Sequence, residues 1–375
     1  MALSKGAQNL HRYLESMRQK IGAGGAVCCV VGNEAADLDS MASAVLYACC
    51  RQQNSDGTTE PVYIPLINIP REDYKLRTEA VYLFDSVGVK PEQLLFAGDV
   101  DLDALHAAGK LQLILIDHNK PAAGQQQLSD CVSGVIDHHK DEGLFPEAAP
   151  RIIEPVGSAA TLVAEAILND SPGLLEEGTA RLLLGTVLLD TVNLDPEAKR
   201  ATEKDHRIVD TLLELTGADR QELFDTLQRE KFNVSALDSA DLLRKDYKEW
   251  QLGGTQVGIS SVLLPIADWL KKDGALSASL QRYAAERKLD VLVAMNAYTN
   301  PQFTRELVVY CPDDALRKKL LDFLTASELE LTPIAADAVA GASVDGATAL
   351  FAQGNLAYSR KKLQPLLDGF FSGEV

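Results

Sequence analysis

The chain has 375 residues, enough for two domains, and its hydrophobic fraction of 46% and charged fraction of 24%, with 26 Gly and 15 Pro, exclude collagen-like and extended disordered classes. Lys and Arg number 36 against 54 Asp and Glu, a net charge of -18. That balance argues against nucleic acid or an anionic membrane as partner, because both require a basic face, and any polyanionic substrate must be met by local cations or by metal.

Residues 1–16 read as an amphipathic start with no apolar signal core, which predicts a cytoplasmic protein rather than an exported one. Strand-like runs at 26–31, 62–68, 111–116, 134–136 and 151–153 alternate with helical periods at 41–51, 72–87 and 159–169. This β–α alternation predicts an α/β fold with a doubly wound, mainly parallel sheet, in which ligands bind beyond the carboxyl ends of the strands. Helical patterns then follow at 199–215, 220–228 and 239–245, with a soft domain boundary between 215 and 235. Further strands at 256–263, 290–295 and 306–310, with helices over 265–287 and 314–325, predict a second, smaller α/β domain. The uncharged run 251–267 is interrupted by Gly253, Gly254, Gln256 and Pro265, so it is not a membrane span. The six cysteines form no CxxC pair and fall mostly in apolar runs, as reduced core thiols would. His11, His106 and His206 lie outside every motif and read as surface residues.

Chemistry concentrates at the strand ends. The run AVCCVV passes into Asn33-Glu34-Ala35-Ala36-Asp37-Leu38-Asp39 before a helix. Taken alone, Asp37 and Asp39 could be a helix N-cap and a first-turn acid. Yet LQLILI ends in Asp117-His118-Asn119, and VSGVI ends in Asp137-His138-His139. A further acid, Asp190, closes the apolar helix over 182–189. Acids and imidazoles gathered on one sheet edge would repel unless cations lay between them, so a centre of two divalent metals is the economical reading. No GxxxxGK[ST], HExxH or GxSxG is present, which leaves nucleotide motors, zincins and serine hydrolases without support.

With these residues in place, NEAADLDSMASA, IDHN, VIDHHKDEG and LLLGTVLLDTVNLDP resemble, in order, the four motifs of the DHH phosphoesterase superfamily. The nearest branch holds cytosolic exopolyphosphatases, prune-type proteins and family II inorganic pyrophosphatases. INIPREDYKLR at 67–77 and IEPVGSAATLVAE at 153–165 look like further family blocks, and SRKKLQP at 359–365 is similar to the signature of a C-terminal DHHA2 domain.

The resemblance implies a DHH metal-binding phosphoesterase domain over 1–222 and a DHHA2 substrate-binding domain over 228–375, with the active site in a cleft between them. It implies that Asp117 bridges two divalent cations, that Asn33 and Asp37 complete one site, and that Asp39, His138 and Asp190 complete the other. A bridging hydroxide would attack the terminal phosphorus. His139 would meet the substrate phosphate or leaving oxygen, and Lys248, Arg360 and Lys361 would clamp phosphate. Without the family match, Arg360, Lys361 and Lys362 would read as a solvated helix end. His118 and Asn119 have either an orienting or a plainly structural role.

The first motif of family II pyrophosphatases begins with His, whereas this chain has Asn33, a harder ligand that favours magnesium, with manganese or cobalt as substitutes. Exopolyphosphatase acting on inorganic polyphosphate is therefore the expected function. A manganese- or magnesium-dependent pyrophosphatase and a prune-like phosphodiesterase or scaffold are the alternatives. Monomer and homodimer stay open.

Overall fold

The computed structural model describes residues 5–22, 24–55, 60–299, 301–335 and 344–373. The chain divides into two units, Met1–Lys231 and Phe232–Val375.

The first unit opens with α1 (Lys5–Gly22), a helix that buries Leu10, Leu14 and Met17; the first four residues of the amphipathic start lie outside the described residues. There follow β1 (Val27–Val31), α2 (Leu38–Asn54), β2 (Val62–Leu66), α3 (Thr78–Ser86), α4 (Leu102–Ala107), β3 (Leu111–Ile116), β4 (Val132–Asp137) and β5 (Arg151–Ile153). The unit is completed by α5 (Ala159–Asp170), α6 (Glu177–Asp190), α7 (Glu203–Thr216) and α8 (Arg220–Lys231). The five strands pair in the order β2-β1-β3-β4-β5, all parallel. β1 (VCCVV) is buried at every position, as a central parallel strand covered on both faces must be. From β1 the chain steps outward to β2 and returns to β3 on β1's other side. The crevice of this sheet therefore opens between β1 and β3, beyond their carboxyl ends.

The helical period expected over 72–87 is split. Arg71–Leu76 is a 3-10 turn, and α3 begins only at Thr78, since Arg77 lies outside helical geometry at φ -94 and ψ 67. Cys131 departs from the expected core thiols, being half-buried while the other five are buried.

The second unit runs α9 (Ser239–Lys245), β6 (Tyr247–Leu252), β7 (Thr255–Val262), α10 (Ile266–Lys272), α11 (Leu276–Glu286), β8 (Val291–Thr299), β9 (Phe303–Tyr310), α12 (Asp314–Ala326), β10 (Leu331–Pro333), β11 (Thr348–Gln353) and α13 (Arg360–Ser372). Its mixed sheet, β10-β11-β9-β8-β7-β6, is antiparallel except between β7 and β8. The single helix expected over 265–287 is two, broken where Asp273 and Ala275 leave helical geometry and Asp273 Oδ1 accepts from Ala275 N. β6 carries no expectation from sequence, and α13 only that of a helix end at Arg360, Lys361 and Lys362. Tyr247-Lys248-Glu249-Trp250 is too polar to resemble a core strand, but an edge strand needs only one covered face. Among the described residues no helix is long and apolar enough to cross a membrane.

Candidate metal centre

The loop after β1 is built for close approach. A Cβ on Gly32 would lie 2.3 Å from Ser40 Oγ, so only glycine lets the strand end meet the start of α2. Ser40 Oγ then accepts from Asn33 N at 2.7 Å. Asp37 caps α2, accepting from Ser40 N at 3.1 Å, while also lining the cavity below; the capping and site readings hold together. Arg77 ties the same loop down from outside, donating to Ala35 O at 2.7 Å and Ala36 O at 3.2 Å, which gives the 67–77 block its physical role.

Asp39, 2% exposed in the first turn of α2, accepts from the first amides of α5, Ala159 N at 2.7 Å and Ala160 N at 2.8 Å, and from Ser43 Oγ at 3.2 Å. The 153–165 block thus supplies a helix N-terminus that favours a buried negative charge. Oδ1 takes both Ala160 N and Ser43 Oγ, whereas Oδ2 takes only Ala159 N and keeps a lone pair for another partner.

Asp117 leaves β3 with φ 63, a left-handed conformation costing a non-glycine residue about 1–3 kcal/mol, of the sort held in place at functional sites. Its Oδ2 accepts from Asn33 Nδ2 at 2.7 Å. Its Oδ1 is buried with no hydrogen-bond partner, 3.2 Å from His138 Nε2. Asp190, the last residue of α6, likewise buries Oδ2 without a partner.

His138 Nδ1 lies 3.0 Å from Val156 O, which can only accept, so the ring proton sits on Nδ1 and Nε2 carries the lone pair in the neutral form. That nitrogen stands 3.2 Å from Asp117 Oδ1 and 3.8 Å from Asp39 Oδ2. Val156 is steadied through its neighbour Gly157, whose N donates to Asp205 Oδ2 at 2.9 Å. Asp205, fully buried, also accepts from Thr161 Oγ1 and from both N and Oγ1 of Thr202. Sequence reasoning missed this residue. Its signal was the capping box of α7, Thr202 with Asp205 three positions on.

Asp137 does not face the cavity's acids but organises the loop after β4. Its Oδ1 accepts from His138 N at 2.8 Å, His139 N at 3.2 Å and His139 Nδ1 at 2.8 Å. Asn119 donates to Asp137 and to Lys140 O and accepts from Glu142 N, so its role is to orient the DHH loop. His118 Nδ1 meets Ile116 O at 2.9 Å, and its Nε2 is buried without a partner.

Asn33, Asp37, Asp39, Asp117, His138, His139 and Asp190 line one cavity of about 470 Å³. Its electrostatics are those of crowded acids. Burial, then Asp39, pushes the Asp117 carboxyl up to about 7. Burial, then Asp37, raises Asp39, and burial with Asp39 raises Asp190 well above the usual carboxylate range. Burial disfavours a charged His138, but Asp117 and Asp39 outweigh it and lift the imidazole to about 10. His139 is raised by its bond to Asp137. The protonated His138 thus stands in for missing positive charge. Unpartnered buried carboxylate oxygens, the Nε2 lone pair that His138 gains when a cation displaces its proton, and oxygen-dominated donors fit hard or borderline divalent cations.

Asn33 enters this centre differently from the expected oxygen ligand. Its Oδ1 accepts from Ala35 N at 2.9 Å and Ala36 N at 3.1 Å, and it presents Nδ2 to Asp117. A second residue that the sequence did not single out is Arg200, exposed on the cavity wall and donating to Asp190 O at 3.3 Å.

In the second unit, Arg360 opens α13 and pairs with Asp246, Nη2 to Oδ1 at 2.6 Å, also donating to Asp246 O at 2.8 Å. This brings it to the start of β6, two positions ahead of the exposed Lys248. Lys361 is exposed beside it, and Lys362 lies over the Tyr358 ring at 5.2 Å. Of the three histidines expected at the surface only His206 is exposed; His106 is half-buried beside Asp130, and His11 is half-buried and bonded to Val87 O and Gln93 Nε2, because α1 packs it against the protein.

Residues 27–188 match the family model described as "DHH family, N-terminal domain", and residues 225–370 match "DHHA2 domain". The chain is 38% identical over 362 residues to exopolyphosphatase PRUNE1 of Rattus norvegicus, covering 95% of this chain and 78% of that one. It is 36% identical over 362 residues to exopolyphosphatase PRUNE1 of Homo sapiens, with the same 95% and 78%. It is also 25% identical over 270 residues to the manganese-dependent inorganic pyrophosphatase of Methanothrix thermoacetophila, covering 71% of this chain and 79% of that protein. With the strand-end acids, the intact Asp137-His138-His139 run and these matches along most of its length, the chain belongs to the DHH family, in the branch that joins a DHH domain to a C-terminal DHHA2 domain.

Proposed function

We propose that the chain is an exopolyphosphatase, a hydrolase of phosphoanhydride bonds that releases terminal phosphate from linear inorganic polyphosphate. The observation that carries this is the acidic cavity, in which buried oxygens of Asp117 and Asp190 have no partner and a charged His138 is the nearest compensation. The homologous exopolyphosphatases and the manganese-dependent pyrophosphatase supply the reaction class. Two divalent cations, magnesium by preference with manganese or cobalt as substitutes, would be held by Asp117 in common, by Asp37 with Asn33, whose Oδ1 would have to leave the Ala35 and Ala36 amides, and by Asp39, His138 and Asp190. Bound there, they would supply Lewis acidity to the phosphoryl oxygens and lower the pKa of an attacking water toward neutrality.

The chain's own residues do the rest. Val156 O fixes His138 with Nε2 inward, so its ring arrives without reorganisation. Asp137 holds His139 Nδ1, which leaves Nε2 to meet substrate, and raises the basicity of a ring that is 58% exposed. A protonated His139 can then pass its Nε2 proton to the leaving phosphate oxygen. Lys248, Arg360 and Lys361 from the DHHA2 domain, with Arg200 from the DHH domain, contact phosphate oxygens and offset charge in the transition state. The DHH metal-binding domain is placed at 1–222 and the DHHA2 substrate domain at 228–375.

Purified protein supplied with magnesium at neutral pH is expected to release phosphate from long polyphosphate and tripolyphosphate, with negligible turnover of pyrophosphate, and chelation should abolish the activity. Faster hydrolysis of pyrophosphate per active site would make the chain a pyrophosphatase. No hydrolysis of any phosphoanhydride, with metal bound, would leave a scaffold.

Asn33 offers a separate test. Replacing the amide by imidazole, Asn33→His, introduces a donor better suited to manganese and cobalt than to magnesium. The expected result is a higher affinity for manganese relative to magnesium in calorimetric titrations. An unchanged ranking would mean that position 33 acts only as the donor to Asp117 seen here, through Nδ2.

A further inference from the structure

At the opposite ends of β3 and β4 from the acidic cavity, three side chains of unlike donor type come together. His106 lies in the last turn of α4, which precedes β3, and Asp130 and Cys131 close the 3-10 segment Ala123–Cys131 that leads into β4. The two segments are tied at a second point, where Gln127 Nε2 donates to Asp103 Oδ1 at 3.3 Å.

His106 Nε2 stands 3.1 Å from Asp130 Oδ1, and Cys131 Sγ stands 3.8 Å from the same oxygen. One donor atom from each of the three residues falls within 4.8 Å of the others. Around a tetrahedral zinc ion, with bonds of about 2.0–2.3 Å to nitrogen, oxygen and sulfur, ligand atoms stand roughly 3.3–3.6 Å apart. The two separations at Asp130 Oδ1, 3.1 and 3.8 Å, bracket that range, and the imidazole and thiol lie within 4.8 Å of each other, so side-chain adjustment alone would bring the three donors onto one ion. An ordinary ion pair accounts for His106 with Asp130. Cys131, next in the chain, adds a thiol hydrogen-bonded to the same oxygen, and it is the one half-buried cysteine of the six, the others being buried.

We propose that His106, Asp130 and Cys131 form a second cation site, of the zinc class, separate from the acidic cavity and built from imidazole nitrogen, carboxylate oxygen and thiolate sulfur, with water as the fourth ligand. The donor sets sort the ions. The acidic cavity offers oxygen with imidazole and suits magnesium or manganese, whereas a thiolate selects softer zinc or cobalt. Binding releases the Cys131 thiol proton to solvent as the Sγ–metal bond forms. With side chains of 32% exposure for His106 and 72% for Asp130, the fourth position opens to water. The ion would fasten α4 to the segment entering β4, bracing the amino-terminal ends of the two strands whose carboxyl ends carry Asp117 and the DHH run.

Cobalt(II) is the probe, titrated into the full-length protein with excess magnesium present. The expected result is a near-ultraviolet thiolate-to-cobalt charge-transfer band, which no sulfur-free centre can give. It should be absent in Cys131→Ser, and His106→Ala should need at least about tenfold more cobalt to reach it. Stoichiometric zinc should slow alkylation of Cys131 by iodoacetamide about tenfold, and this readout does not depend on catalysis. A wild-type spectrum without the band, the same band in Cys131→Ser, or alkylation at an unchanged rate with zinc present would each overturn the site.

Discussion

Asp117→Ala is expected to abolish phosphate release, lowering kcat/KM by more than about 10³, because it removes the carboxylate that both cation positions are proposed to share. Its surroundings sharpen the expectation. Asp117 is held in a left-handed conformation by the bond from its N to Ile136 O, and by Asn33 on Oδ2, so its free Oδ1 faces the histidine pair, 3.2 Å from His138 Nε2 and 3.7 Å from His139 Nδ1. Calorimetry beside steady-state kinetics should show metal binding and turnover lost together. A variant that kept either at the wild-type level would end the shared-ligand reading.

The same substitution should act in the opposite direction on the metal-free fold. The folded carboxyl sits at about 7 against a reference of 3.8, so below that value the folded state keeps a proton the unfolded chain has lost. That contribution to stability is complete below about pH 4 and disappears as the pH rises through about 7. Without metal, the wild-type Tm is therefore expected to fall across this window, and Asp117→Ala to show a shallower fall. At neutral pH the variant should match or exceed the metal-free wild type while failing to gain stability when magnesium is added. A variant Tm well below the metal-free wild type at pH 7 would show that Asp117 is a structural acid rather than one strained by its neighbours.

Why some of this was legible in the sequence and some was not has a physical basis. The parallel sheet was readable because a strand covered on both faces must be mostly apolar, as Val27–Val31 is at every position and Leu111–Ile116 at all but the exposed Gln112. The acids were readable because such a fold delivers strand ends to a common edge, so Asp37, Asp117 and His138 could be grouped without coordinates. Side-chain direction was not readable. Asn33 could be recognised as the variable position of its motif, but not that its oxygen is spent on Ala35 and Ala36 amides. Arg77 escaped for a related reason, acting on loop backbone far away in sequence, and Asp205's local mark, the capping box with Thr202, gives no hint of its bond to Gly157. β6 was missed because an edge strand can be as polar as a loop.

That last omission bears on the clamp, since β6 carries Lys248 and begins beside the partner of Arg360. Truncating Lys361, Arg360 or Arg200 to Ala removes a cation without removing a proposed metal ligand, so metal affinity should survive while kcat/KM on polyphosphate falls. Hydrogen bonds to charged groups are worth about 1.5–3 kcal/mol, or roughly ten- to a hundred-fold. The three should not behave alike. Lys361 is exposed and should pass its whole loss to KM and kcat. Arg360 is bound to Asp246 through Oδ1 and the backbone carbonyl, so Arg360→Ala also frees the junction of α13 with β6 and should lower Tm as well as activity. Asp246→Asn then separates the two effects: it weakens the hold on Arg360 while keeping the guanidinium, and should damage KM more than kcat. Arg200 reaches Asp190 through a single bond at 3.3 Å, so its truncation should leave Tm unchanged. Parallel melting curves, metal titrations and kinetics on the four variants decide the matter. Loss of metal in Lys361→Ala as complete as in Asp117→Ala, or full activity in both Lys361→Ala and Arg200→Ala, would remove these cations from the phosphate-binding role.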